Sequence, residues 1–307
     1  MSTDAALPVV AVVGATAVGK SDLAVDLALE LGGEVVNTDS MQLYRGMDVG
    51  TAKLSPAERQ GVPHHLLDVL DVTETATVAQ FQTWAREAVA DCRARGRVPV
   101  LVGGSALYTR AVLDRFEFPG TDPDLRLRLE GQLDVQGAQA LHRMLTDLDP
   151  DAAARILPSN GRRVVRALEV IELTGRPFTA TLPSREYADP HTVQVGLDAP
   201  RPVLDDRVEQ RVRRMWDDGF VEEVRRLEAA GLRGGRTASR ALGYQQILTF
   251  LAGDGTEDDA FRATVTGTRR FVRRQQGWFL KDPRVSWVDW DDPDRLAKAV
   301  AAVRGTS

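Results

Sequence analysis

The stretch Gly14-Ala15-Thr16-Ala17-Val18-Gly19-Lys20-Ser21 follows the apolar run PVVAVVG and leads into a helical pattern from about Lys20 to Leu31. This constrains the chain more than any other feature, because it is G-x-x-x-x-G-K-[ST] set between a strand and a helix. Such a phosphate loop (P-loop) turns successive backbone N–H groups inward and adds the positive end of a helix. It places Lys20 over terminal phosphates and offers the Ser21 hydroxyl to Mg2+. The loop specifies a bound diphosphate or triphosphate and leaves open what is done with it.

The surrounding pattern predicts an α/β fold. EVVNTDS at 34–40 reads as a second short strand, residues 77–95 as a helix, RVPVLVGG as a third buried strand, and Ser105 to Leu113 as another helix. This alternation specifies a parallel sheet with covering helices. After PGTDPD at 119–124 strand-like runs vanish, and helical periodicity holds until about 175. HTVQVGLD at 191–198 then predicts a return to the sheet, followed by helices at about 203–218, 219–230, 239–252 and 257–280 and a strand in VSWVDW. The expected organisation is a core of residues 1–119 and 191–307 with a mostly helical insertion at 120–190.

Open parallel sheets bind ligands at the carboxyl ends of their strands. The second strand delivers Asp39, Ser40, Met41 and Gln42 to that edge, and the third delivers Gly103, Gly104 and Ser105. A nucleotide hydrolase would usually end a neighbouring strand in a magnesium-holding Asp; here that position is Gly-Gly. Asp39 is the only acid at these strand ends, and three roles fit it: metal ligand through water, helix cap, or base. Ser105 equally suits a helix cap. His64 and His65 read as hydrogen-bonded loop residues, and Trp216, Trp278, Trp287 and Trp290 as core.

A net charge of −5 excludes a chain that coats nucleic acid with its whole surface. Of the 39 basic residues only Lys20, Lys53, Lys281 and Lys298 are lysine, and the rest are arginine. They cluster. Arg269, Arg270, Arg273, Arg274, Lys281 and Arg284 share one stretch with a single acid, Asp282, and a second cluster comprises Arg155, Arg162, Arg163 and Arg166. Local basic patches on an acidic chain suit a partner held at one face. The lone Cys92 permits no internal disulfide and reads as a small buried hydrophobe. The acidic start MSTDAALPVV and the lack of a long apolar run predict a cytoplasmic protein without a membrane partner.

Several segments together resemble the tRNA dimethylallyltransferases, which prenylate adenosine 37. They are GATAVGKS at 14–21, NTDSMQLYRGMDVGTAK at 37–53, PHHLLD at 63–68, LVGGSALY at 101–108, RRVVRALEV at 162–170, DDGFVEEV at 217–224, ALGYQQ at 241–246 and TRRFVRRQQGWF at 268–279. The P-loop is common to many families, whereas DSMQ-x-Y-x-G-M-D-x-G-T-A-K combined with the double-glycine strand end is far more specific.

The resemblance implies a P-loop NTPase-like core, a helical insertion, and a channel entered by prenyl donor and tRNA base from opposite sides. It implies that Asp39 accepts a proton from the adenine N6 amine, that Ser105 lies beside the reacting groups where the family commonly has threonine, and that Thr16, Lys20 and Ser21 hold the diphosphate and its Mg2+. It places Asp39, Ser40, Met41, Gln42 and Ser105 against the target base, and Arg162, Arg163, Val164, Val165 and Arg166 against the anticodon stem-loop. Arg162 stands where related sequences often show glutamine. Arg126 falls at a further tRNA contact, with Arg128 two residues away. The expected partners are tRNA and dimethylallyl diphosphate, acted on by a monomer. The residues alone also permit a small-molecule kinase using ATP, a nucleotide-switched RNA-binding protein, or a transferase acting on free AMP.

Overall fold

The computed structural model describes residues 7–116, 118–178 and 185–305; the acidic start at residues 1–6 lies outside them. The chain divides into two compact units, one of Met1–Leu113 with Asp189–Ser307 and one of Asp114–Ala188.

In the first unit β1 (Val9–Gly14), β2 (Glu34–Asn37), β3 (His64–His65), β4 (Pro99–Val102), β5 (Thr192–Asp198) and β6 (Val285–Asp289) form one sheet in the order β3-β2-β4-β1-β5-β6. Every pairing is parallel. All residues of β1 are buried, and its Val and Ala side chains suit a central strand covered on both faces. The expected return to the sheet after the insertion is β5, which pairs along the whole of β1. β3 departs from the loop expected for His64 and His65: two residues are too short to carry a strand period, and pairing with β2 creates this edge strand.

Helices α1 (Lys20–Leu31), α2 (Val78–Ala94) and α3 (Ala106–Leu113) belong to this unit. α1 packs on the sheet through Leu23 and Leu27, with later helices adding Leu204, Val208, Val212, Val265 and Val272 to the same core. Their spacing of four and seven residues makes one apolar stripe per helix. α2 starts with a capping box in which the Thr77 hydroxyl accepts from Gln80 N and the Gln80 side chain from Thr77 N.

The second unit contains α4 (Pro123–Gln136), α5 (Ala138–Leu148), α6 (Pro150–Arg155) and α7 (Gly161–Thr174). The sequence spells out their starts: Asp122 before Pro123, Asp149 before Pro150, and Asn160 before Gly161 each accept backbone N–H groups of the following turn. Leu125, Leu129, Leu141, Leu145, Val164, Val165 and Leu168 form this unit's own core.

The first unit resumes with α8 (Arg201–Asp217), α9 (Phe220–Ala229), α10 (Tyr244–Leu251), α11 (Glu257–Phe279) and α12 (Arg295–Arg304). Val102 pairs with both Val12 and Asn37, so β4 and β2 end level and β1 runs two residues further. That register brings the P-loop, Asp39 and Ser105 to one edge of the sheet.

Candidate active site

The P-loop depends on backbone geometry that few side chains allow. Gly14 sits at φ 141°, where a Cβ would lie 2.5 Å from the Leu197 carbonyl oxygen. Ala17 at φ 68° takes the left-handed conformation without being glycine, a local strain held by its surroundings. The Arg207 Nε donates to the Ala17 carbonyl at 2.7 Å, while the Arg207 guanidinium stacks 4.5 Å from the Trp290 ring centroid.

Lys20 folds back over this loop, its ammonium donating to the Ala15 carbonyl at 2.6 Å. Burial, followed by the positive charge of Arg211, lowers its pKa to about 7 against the opposing pull of Asp39. Arg211 was not singled out from the sequence. Burial lowers its pKa as well, Asp39 opposes that shift, and its Nε is buried without a hydrogen-bond partner. Two desolvated cations and an unsatisfied donor beside a phosphate loop fit an anion. The available signal was the spacing of Arg207, Arg211 and Arg214, which places all three on one side of α8.

A cavity of about 830 Å3 opens beside the loop, lined by Lys20, Ser21, Lys53, Arg207, Arg211 and Arg214 together with acids that include Asp22 and Asp218. Lys53 is held at 2.6 Å from both Asp48 and Asp68. The Ser21 hydroxyl and Asp22 carboxylate provide hard oxygen donors that suit Mg2+ once phosphate oxygens complete the shell.

Asp39 lies two residues past the end of β2 and is partly exposed. Asn37 fixes its backbone, and Asp39 Oδ1 accepts the Met41 N–H at 2.9 Å. Ser40, Met41 and Gln42 are likewise half-buried, and Gln42 donates to the Thr51 carbonyl at 3.2 Å. The Arg211 guanidinium reaches the same carbonyl at 3.3 Å. Ser105 accepts the Thr109 N–H through its carbonyl at 2.9 Å and so opens α3.

The loop at 48–53 is pinned by Glu223, another residue that sequence reasoning missed. Its buried carboxylate accepts the N–H groups of Asp48, Val49 and Gly50 at 3.0, 2.7 and 3.1 Å and the Tyr244 hydroxyl at 2.6 Å. Gly50 is required because a Cβ there would lie 2.1 Å from the Phe220 ring. Three distant motifs, DVGTAK, GFVEEV and ALGYQQ, therefore meet at one carboxylate.

The basic clusters divide. Arg162 and Arg163 are exposed on α7, but Val164 and Val165 lie in the core of the second unit, so their side chains are withheld from any RNA. Arg126 and Arg166 both pair with the fully buried Glu169, and Arg166 also donates to the Pro119 and Gly120 carbonyls. On α11 Arg269 donates to Asp205 and Glu209 of α8, whereas Arg270, Arg273 and Arg274 are exposed. Arg284 pairs with buried Asp282 at 2.7 Å.

Trp278 corrects the reading of the tryptophans as core, because it is 62% exposed. Cys92 is buried as expected, but against polar neighbours: its sulfur lies 3.6 Å from Glu34 Oε2 and 3.7 Å from His65 Nε2. Arg95 occupies both Glu34 oxygens, which makes this cluster an ion-pair network holding α2 to β2.

Residues 42–282 match the family model described as IPP transferase. The chain is 62% identical over 299 residues to a tRNA dimethylallyltransferase of Nocardioides sp., covering 97% of this chain and 96% of that one. To its counterpart in Thermobifida fusca it is 63% identical over 300 residues, covering 96% and 94%. Among solved structures, the full-length tRNA isopentenylpyrophosphate transferase of Bacillus halodurans superposes with a TM-score of 0.72 at 40% identity, covering 97% of this chain and 96% of that one. A eukaryotic dimethylallyltransferase acting on tRNA gives 0.83 at 26% identity, covering 97% and 78%. The chain belongs to the tRNA dimethylallyltransferase family.

Proposed function

We propose that this enzyme transfers a dimethylallyl group from dimethylallyl diphosphate to N6 of adenosine 37 in a tRNA anticodon loop and releases diphosphate. Within that family, the observation that carries the reading is the pairing of the cation-lined phosphate loop with Asp39, the single acid at the ends of β1, β2 and β4. The kinase alternative does not survive the family membership.

The donor's C1–O bond breaks as the diphosphate accumulates charge, and Lys20, Arg211 and the loop N–H groups stand ready to stabilise it. Thr16 and Lys20 would hold the diphosphate, and Ser21 would carry Mg2+, which supplies further charge neutralisation when bound. The N6 amine is a weak nucleophile because its lone pair is delocalised into the ring. As N6 bonds to C1, its proton passes to the Asp39 carboxylate, a contribution of roughly 10² to 10⁴ in rate. Ser40, Met41, Gln42 and Ser105 would surround the adenine, which must leave the loop's stack to arrive there. Arg162 and Arg163 would grip the RNA backbone. All groups assigned to the chemistry come from one compact unit of one chain, which supports a monomer acting in the cytoplasm, where tRNA is available.

The test is incubation with unmodified tRNA, dimethylallyl diphosphate and Mg2+ followed by nucleoside mass analysis. A gain of one isopentenyl unit on adenosine 37 is expected. Transfer to free AMP with equal efficiency would overturn the tRNA assignment.

A further inference from the structure

We propose that Gln275 is a positioning residue that locks the phosphate loop to the end of β4 and so sets the distance between the leaving diphosphate and the acceptor base. Its side-chain amide oxygen accepts the Thr16 N–H at 2.8 Å, and its amide nitrogen donates to the Gly104 carbonyl at 2.8 Å. One planar amide thus bridges the two peptides that follow neighbouring strands β1 and β4. The side chain arrives from α11, 259 residues along the chain from Thr16, and the residue is only 4% exposed.

The surroundings leave this amide no alternative. A Cβ on Gly104 would lie 2.3 Å from Gln275 Nε2 and 3.8 Å from Lys20 Nζ, so the second glycine of Gly103-Gly104 is the space into which the amide fits. Gly103 serves the other side, where a Cβ would lie 2.3 Å from the Thr38 hydroxyl. The double glycine at the end of β4 is therefore explained by close packing of three segments.

Two consequences follow for the site. The Thr16 N–H is committed to Gln275, so Thr16 addresses the diphosphate through its hydroxyl while Gln275 holds its backbone. Ser105, next to the Gly104 carbonyl, is held by the same amide. A shift of about 1 Å between reacting groups can cost on the order of 10² in rate, and this bridge is short enough to prevent one.

The inference rests on the proposed transfer reaction, and its test separates the two. Gln275→Met keeps the length and apolar bulk but loses both bonds; Gln275→Asn keeps the amide but is one methylene too short to span both peptides. Each should fold with a melting temperature lowered by several degrees, because the Thr16 N–H and the Gly104 carbonyl lose their partner, and each should lower the single-turnover rate by roughly 10- to 100-fold where the protein is folded, leaving tRNA affinity within about threefold. Combining Gln275→Met with Thr16→Ala should cost clearly less than the product of the two single losses, because both act through one loop. Asn within twofold of the wild-type rate, a parallel loss of tRNA affinity, or strict multiplicativity with Thr16→Ala would overturn the positioning role. Failure of the wild type to prenylate tRNA would instead sink the transfer reaction, and binding of inorganic diphosphate by wild type and Gln275→Met would then still decide the inference: unchanged affinity and stoichiometry would refute it, a weaker complex would support it. Should Met not fold, the Asn variant carries the same decision.

Discussion

Asn37 grips Asp39 by both peptide groups: its Oδ1 accepts the Asp39 N–H at 2.8 Å and its Nδ2 donates to the Asp39 carbonyl at 2.9 Å. The same Nδ2 donates to the carbonyl of Leu66 at 3.0 Å. Leu66 sits at φ 61°, an unusual conformation for a bulky residue. The end of β2, the Asp39 backbone and the turn after β3 are thus held by one buried amide. Asn37→Leu should lose about 1–3 kcal/mol of stability, because it leaves buried peptide groups unsatisfied. Transfer should slow more than donor binding weakens. Denaturant melts and single-turnover kinetics measure the two, and an unchanged rate at full occupancy would show that the grip is structural alone.

Asp39→Asn isolates the carboxylate itself. Shape and the hydrogen bond to Met41 persist while basicity is lost, so the chemical rate should fall by roughly 10² to 10⁴ with donor and tRNA affinities preserved. Single-turnover rates within a few-fold of wild type would remove the base assignment.

The route from residues to site was readable wherever local backbone geometry decides it. The P-loop and DSMQ could be placed from residues 14–21 and 39–42 because strand, glycine and helix follow one another within a few residues. Glu223 and Gln275 were not readable, and Arg211 only as one of three arginines at helical spacing, since each reaches the site from a helix whose position follows from packing far along the chain. Glu223 enters a loop more than 170 residues away. The ion pair of Arg166 was also legible: Glu169 stands one helical turn later and lies 2.8 Å from it. Val164 and Val165 likewise followed the apolar spacing of α7 and belonged to its core.

Glu223→Gln tests the clamp on residues 48–50. In glutamine an NH2 replaces one of the two oxygens and faces either the Gly50 N–H or the Asp48 and Val49 N–H groups where an acceptor is required, so the loop should loosen at a cost of about 2–3 kcal/mol. Faster amide exchange at Val49 and Gly50 is the direct measurement. Protection equal to wild type would contradict the clamp.

The Glu34 network predicts an acid limb in the stability curve. Hydrogen bonding from Arg95, and secondarily from His65, holds the Glu34 pKa at about 2 against the opposing effect of burial. The ionised carboxylate therefore stabilises the fold fully above its ordinary range near ~4.3 and loses this contribution as pH falls toward about 2. Glu34→Gln should be less stable than wild type at pH ~7 and should show a flatter decline below pH ~4.3. Urea melts across that window check the sign, and parallel curves for the two proteins would exclude Glu34 as a source of the acid limb.

The division of the arginines makes the RNA prediction specific. Arg162 and Arg163 are exposed on α7, whereas Arg166 and Arg126 neutralise buried Glu169 from within the same unit. If the exposed pair contacts phosphates, replacing both with alanine should weaken binding to an anticodon stem-loop and flatten the dependence of log affinity on log salt by roughly one to two units. Melting temperature and donor affinity should stay near wild type, because neither side chain supports the core. Arg166→Ala should do the reverse: it strips one of two cations from a buried carboxylate and should lower stability by about 1–3 kcal/mol. Its salt slope should remain close to wild type wherever the protein is folded. A flattened slope in Arg166→Ala together with an unchanged slope in the Arg162→Ala, Arg163→Ala double variant would invert this division of roles.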